Sequence, residues 1–229
     1  MSNVLMVRHG QASFGAANYD KLSTLGHQQA RWLGDYYRVQ GLRFDHVFVG
    51  EQVRHRETAE SLCTAFEGTV EPFQVHAGLN EFDFKAVIAA YQAKSANQQV
   101  LEGMTPREFF KLLRKAMLAW MSNELDPSHH PDFQETWTDF TGRVLAAAEV
   151  IGQAARNGRV LVVSSGGVMS TLMAHVLDCP NESIIDINLQ VKNTAQITYQ
   201  ATSGGFKLTG FNATPHLESS ERSEFITYS

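Results

Sequence analysis

Arg8, His9 and Gly10 stand directly after the apolar run Val4-Leu5-Met6-Val7. That trio suits a phosphoryl group. A guanidinium binds phosphate oxygens bidentately, a neutral imidazole can attack phosphorus, and glycine lets backbone approach closely. Three further places present polar groups at the end of a strand or in a loop: Arg54, Glu81 close to Asp83, and Ser164-Ser165-Gly166-Gly167 after Val160-Leu161-Val162-Val163. Arg54 falls in the opening turn of a helix, where the macrodipole favours anions. An anionic partner therefore accounts for it better than bulk solvent does. Taken singly, each feature also has a plainer explanation: a surface turn, a strand-end histidine, ordinary loop charge.

The elements that would position these groups follow from the hydrophobic pattern. The apolar run at residues 4–7 and the apolar-centred segments 45–50 and 160–164 read as buried strands, which suits a parallel sheet; a shorter strand is expected at 73–75. Charge at the C-terminal end of such strands matches the place where α/β folds bind ligands. After the loop 11–22, Ser23 offers an N-cap for a helix to about residue 40, with Gly41 as its stop. Leu25, Ala30, Leu33, Tyr36 and Tyr37 give it an apolar face, with His27 and Gln29 flanking it and read as solvated. Helices are predicted at 51–66, 86–99, 105–121 and about 134–156, and another after Gly167 carries Val168, Leu172 and Val176. Thr105-Pro106-Arg107-Glu108 is a helix start with a capping-box Glu. A closing hairpin is expected over 193–200 and 206–211, then a polar tail with Phe225 to Tyr228 docked at its end. Strands alternating with helices predict one α/β domain over 1–229, a three-layer α/β/α sandwich with a mostly parallel sheet. The strand-free helical segment at about 82–135 reads as a cap inserted over the site.

Composition narrows the partners. The chain has 229 residues, 43% hydrophobic and 19% charged, with a formal net charge of -5, which leaves no electrostatic footprint for nucleic acid or a membrane surface. No stretch approaches a membrane span and no charged leader precedes the first strand, so a cytoplasmic protein is expected. Cys63 and Cys179 lack metal or CxxC spacing and read as buried free thiols in a reducing compartment. The adjacent His129 and His130 cannot close a metal site alone. No metal and no cofactor are implied.

In order, the segments Arg8-His9-Gly10-Gln11, Leu22-Ser23-x-x-Gly26-x-x-Gln29-Ala30, Arg54-x-x-x-Thr58-Ala59, Leu79-Asn80-Glu81 and Val162-Val163-Ser164-x-Gly166-Gly167 resemble the histidine phosphatase superfamily, the phosphoglycerate-mutase-like proteins. The resemblance spans most of the chain. It implies that His9 is a nucleophile that becomes phosphohistidine and that Arg8 and Arg54 clamp the phosphoryl oxygens. Glu81 would protonate the leaving oxygen and later activate water. Gln11, Ser165 and Gly166 would complete the substrate-binding set. The chemistry is consistent: phosphoryl transfer asks for in-line positioning and charge neutralisation, and a carboxyl sharing a pocket with phosphate has its pKa raised toward the acid form.

One departure stands out. The family pattern Ser-His-Gly-Gly is here Ser164-Ser165-Gly166-Gly167, so the second histidine is replaced by Ser165. Losing one preorganised donor costs on the order of 10²–10³ in rate, and Ser165→His is expected to return on the order of tenfold or more of it. His55 is a poor substitute on helical geometry, since neighbours on a helix point about 100° apart and would not both face one phosphate. The expected function is a metal-independent phosphomonoester hydrolase that takes a phosphorylated small molecule, or a phosphate or sulfate anion. The alternative is a degenerate member that binds such a ligand or partner with little turnover; mutase activity and a purely structural role are disfavoured.

Overall fold

The computed structural model describes residues 3–13, 20–66, 72–95 and 103–228. Six strands form one sheet in the order β3-β2-β4-β1-β5-β6: β1 (Val4–Arg8), β2 (His46–Val49), β3 (Gln74–Val75), β4 (Val160–Ser164), β5 (Gln196–Thr202) and β6 (Gly205–Ala213). β1 to β4 are mutually parallel, whereas β5 runs antiparallel to both β1 and β6. The helices among the described residues are α1 (Thr24–Val39), α2 (Val53–Cys63), α3 (Phe84–Lys94), α4 (Pro106–Met121), α5 (Trp137–Ala154), α6 (Gly166–Val176) and α7 (Asn181–Gln190).

Side-chain alternation along the strands builds two cores, one on each face of the sheet. Leu5, Val7, Val47, Val49, Leu161 and Val163 pack with Leu33 and Tyr37 of α1 and Ala59 and Leu62 of α2. Val4, Met6, Phe48, Val160 and Val162 join the larger core with residues of α3 to α7. The result is the expected three-layer α/β/α sandwich. Because residues 4–7 of β1 and 160–163 of β4 are buried on both faces of the sheet, those two runs are apolar without a break. Ring contacts link Phe82 to Trp120 at 4.9 Å and Trp120 to Trp137 at 5.1 Å, joining α4 to the start of α5.

Several elements differ from the sequence expectations for identifiable reasons. α2 starts two residues late, because Gln52 takes the cap position. α3 starts at Phe84 since Asp83 accepts from the backbone N–H groups of Lys85 and Ala86; it ends at Lys94, and residues 96–99 of the expected helix lie outside the described residues. α5 begins at Trp137 behind a capping box of Thr136 and Asp139. The pattern missed α7 altogether, a short polar helix after Pro180. Gln29 is fully buried, not solvated: its Oε1 accepts from Gln11 N at 3.0 Å while its Nε2 donates to Phe225 O and Thr227 Oγ1. The same bonds dock the tail. Both cysteines are free, as expected, and half-buried. No helix of the described residues is long and apolar enough to cross a membrane.

Candidate active site

The register of the parallel strands gathers the polar groups on one edge of the sheet. Arg8 pairs with Ser164, and Val49 pairs with both Val163 and Val75. The chain therefore leaves β1 at His9, β2 at Gly50, β3 at His76 and β4 at Ser165, all on one side.

His9 is 5% exposed. Its Nδ1 lies 2.8 Å from the Gly10 carbonyl, which can only accept, so Nδ1 carries the proton and Nε2 keeps its lone pair. Burial, followed by the charges of Arg54 and Arg8 and the nearby His55, holds its pKa well below the ordinary value. The imidazole is thus neutral, with its lone pair on one defined nitrogen. Backbone anchors fix the loop that carries it: His9 N donates to Ser164 O at 2.9 Å, Asn193 Nδ2 to His9 O at 3.1 Å, and Gly10 N to Thr58 Oγ1 at 3.0 Å. A Cβ at Gly10 would lie 2.4 Å from Gly26 O. Only a bare backbone lets α1 reach this loop.

Arg54 is 7% exposed in the first turn of α2. The anion its position called for is found within the protein. Asp20 Oδ1 accepts from Arg54 Nη1 at 2.7 Å while Asp20 Oδ2 accepts from Val53 N. Arg54 Nη2 donates to Gln52 Oε1 at 3.0 Å, and the same oxygen accepts from Glu81 N, so Gln52 couples the guanidinium to the Glu81 loop. Arg8 Nη1 donates to the carbonyls of Val191 and Tyr228. Gln11 spends its Oε1 on the Ser23 hydroxyl at 2.8 Å, which caps α1 by accepting from Gly26 N; here it supports the loop and the helix start.

Glu81 Oε2 accepts from Gly167 N at 2.9 Å and Oε1 from Phe82 N at 3.2 Å. These bonds and the two arginines favour the carboxylate, but burial outweighs them and raises its pKa. The glycine pair is explained by what crowds it: a Cβ at Gly167 would lie 2.1 Å from Glu81 Oε1, and one at Gly166 would lie 2.2 Å from Asn188 Oδ1.

Ser165 is the N-cap of α6 and fully buried. Its Oγ is 2.6 Å from Nε2 of His55, whose ring centroid stands 5.8 Å from that of His9. His55 thus lies beside His9, on a different bearing from Arg54. The 100° offset from Arg54 points it at Ser165, the N-cap of α6. Asp20 and Gln52 carried no signal in the sequence, since both are polar residues at the edges of loops. Among the described residues no three His, Cys, Asp or Glu side chains come together as a metal site.

Comparison with known proteins matches the chain to a family. The family model described as the histidine phosphatase superfamily, branch 1, matches residues 4–214. The curated protein "Probable phosphoglycerate mutase GpmB" from Erwinia tasmaniensis is 24% identical over 227 residues, covering 95% of this chain and 96% of its own. A mutant phosphoserine phosphatase from Entamoeba histolytica, solved with phosphoserine, superposes with a TM-score of 0.64 at 18% identity, covering 95% of this chain and all of its own. A mycobacterial glucosyl-3-phosphoglycerate phosphatase solved with inorganic phosphate gives 0.60 at 20% identity, covering 95% of this chain and 100% of its own.

Proposed function

The chain belongs to the histidine phosphatase superfamily, and we propose that it is a metal-independent phosphomonoester hydrolase that works through a phosphohistidine at His9. The observation that carries this reading is the tautomer of His9: with Nδ1–H held by the Gly10 carbonyl, the lone pair on Nε2 is available for in-line attack on phosphorus. Arg8 and Arg54 neutralise the equatorial oxygens. Glu81, kept toward its acid form by burial, gives its proton to the leaving oxygen as the P–O bond breaks and the N–P bond forms. As a carboxylate it then takes a proton from the water that attacks the phosphohistidine, releasing inorganic phosphate and restoring His9 and Glu81. Arg54 exchanges part of its pairing with Asp20 for the incoming anion. The helical segment at about 82–135 acts as the cap that admits a small phosphorylated substrate, in a cytoplasmic enzyme.

The test is turnover over a broad panel of phosphomonoesters at acidic to neutral pH, with rapid-quench detection of the acid-labile adduct. His9→Ala is expected to abolish both turnover and adduct, and Arg54→Ala to weaken binding of inorganic phosphate. Phosphate binding without turnover or adduct would leave a degenerate, ligand-binding protein.

A further inference from the structure

His55 and Ser165 form a buried pair whose hydrogen bonding is incomplete in an informative way. His55 Nδ1 is buried and has no hydrogen-bond partner. It faces the Gly50 backbone, where a Cβ would lie 2.3 Å away. A neutral imidazole carries one N–H. Were it on Nδ1, a buried donor would be orphaned, which folded proteins tolerate less well than an unused lone pair. The proton therefore belongs on Nε2, which donates to Ser165 Oγ across 2.6 Å. A hydroxyl that accepts a bond still has its own hydrogen to give. Ser165 is fully buried, and among the described residues its Oγ has no other partner. It directly follows Ser164, whose carbonyl holds the backbone of His9.

We propose that His55 and Ser165 act as a two-step donor to the transferring phosphoryl group: His55 Nε2–H fixes and polarises the Ser165 hydroxyl, and Ser165 Oγ–H donates to a non-bridging phosphoryl oxygen. The proposal rests on the phosphohistidine reading. Ser165 touches the reacting group, and His55 is a positioning residue acting through it. The imidazole that α6 lacks is thereby supplied from α2, one hydroxyl further back. Linked hydrogen bonds in a water-excluded site strengthen one another, and a fixed donor needs no reorganisation as charge gathers on the oxygen. On this reading Ser165→His should not raise turnover. The space beside position 165 is already filled by the His55 ring, and a second imidazole would displace it.

The experiment compares Ser165→Ala, His55→Phe (ring volume kept, N–H removed), His55→Gln (an N–H donor kept) and the double variant Ser165→Ala/His55→Phe. Turnover of an aryl phosphate and affinities for vanadate and inorganic phosphate are measured, with thermal melts as the folding control. Both single variants should lower kcat about 10²-fold while KM stays within about threefold. The double variant should be no worse than either single one, and His55→Gln should keep most of the rate. Losses that multiply in the double variant, or a His55→Phe enzyme as fast as wild type, would overturn the proposal. If His55→Phe does not fold, Gln against Ala at these two positions decides it. Adduct formation at His9 in the same preparations separates failure of the relay from failure of the phosphohistidine reading. Without turnover, vanadate stands in for the transition state: the relay requires both single variants to weaken vanadate more than phosphate, and unchanged vanadate affinity would sink it.

Discussion

Glu81 Oε2 accepts from the first turn of α6 while burial keeps its proton affinity high, and this balance sets a sharp expectation for a single substitution. Glu81→Gln keeps an oxygen for Gly167 N but removes the transferable proton. Alkyl phosphates, whose leaving oxygens need protonation, should lose about 10²–10³ in kcat, and aryl phosphates about tenfold or less. Equal losses on both substrates would mark Glu81 as structural. How much of the site could be read from residues alone depended on what each residue contacts. Arg8 and His9 were visible because charge following an apolar strand has few innocent explanations. Asp20 was not, because an acidic residue in a loop carries no pattern until α2 brings Val53 and Arg54 against it. Gln29 was misjudged for the opposite reason. Its polarity suggested solvent, but the loop after β1 and the tail both present backbone groups that need a buried partner.

Close backbone approach governs the elements. α1 meets the loop after β1 so tightly that a Cβ at Gly26 would lie 2.2 Å from Gln11 O, whereas the exposed Gly142 in α5 has nothing within 4 Å. The same substitution should therefore have opposite signs at the two positions. Gly26→Ala is expected to cost about 1–3 kcal/mol by overpacking against backbone. Gly142→Ala should gain about 0.5–1 kcal/mol from helix propensity. Urea midpoints of the two variants against wild type check this, and a stable Gly26→Ala protein would show that the loop can retreat. Strands β1, β2 and β4 were legible because burial on both faces leaves a continuous apolar run. α7 escaped notice because Ile184 and Ile185, its buried residues, are too few to produce a period.

For the whole molecule, three buried histidines set the response to acid. His9, His55 and His216 all have lowered pKa values, each chiefly through burial, that of His216 to about 3. Above the unfolded value of about 6.5 these groups are neutral in both states and contribute no pH dependence. Below it the unfolded chain binds protons that the native protein refuses, so stability falls with pH, by up to ~1.4 kcal/mol per unit for each histidine. Glu81 works in the opposite sense, as one group against three. Urea midpoints should therefore drop from pH 7.5 to 5.5, and His216→Gln should remove about a third to a half of that slope, depending on how far Glu81 offsets it; a slope unaffected by the substitution would show that His216 is not among its sources. The central position of β1 has a different kind of consequence. Val4 pairs with Val160 on one side and with Tyr199 on the other, and Arg8 reaches Tyr228. Contacts so distant along the chain close slowly, because the intervening loop entropy must be overcome first. Helices can form early on either side, but the edge bearing His9 has no template until β4 and β5 arrive. That edge is thus among the last parts of the protein to exist, and a partly folded chain carries His9 without the neighbourhood of Arg54 and His55 that surrounds it in the native state.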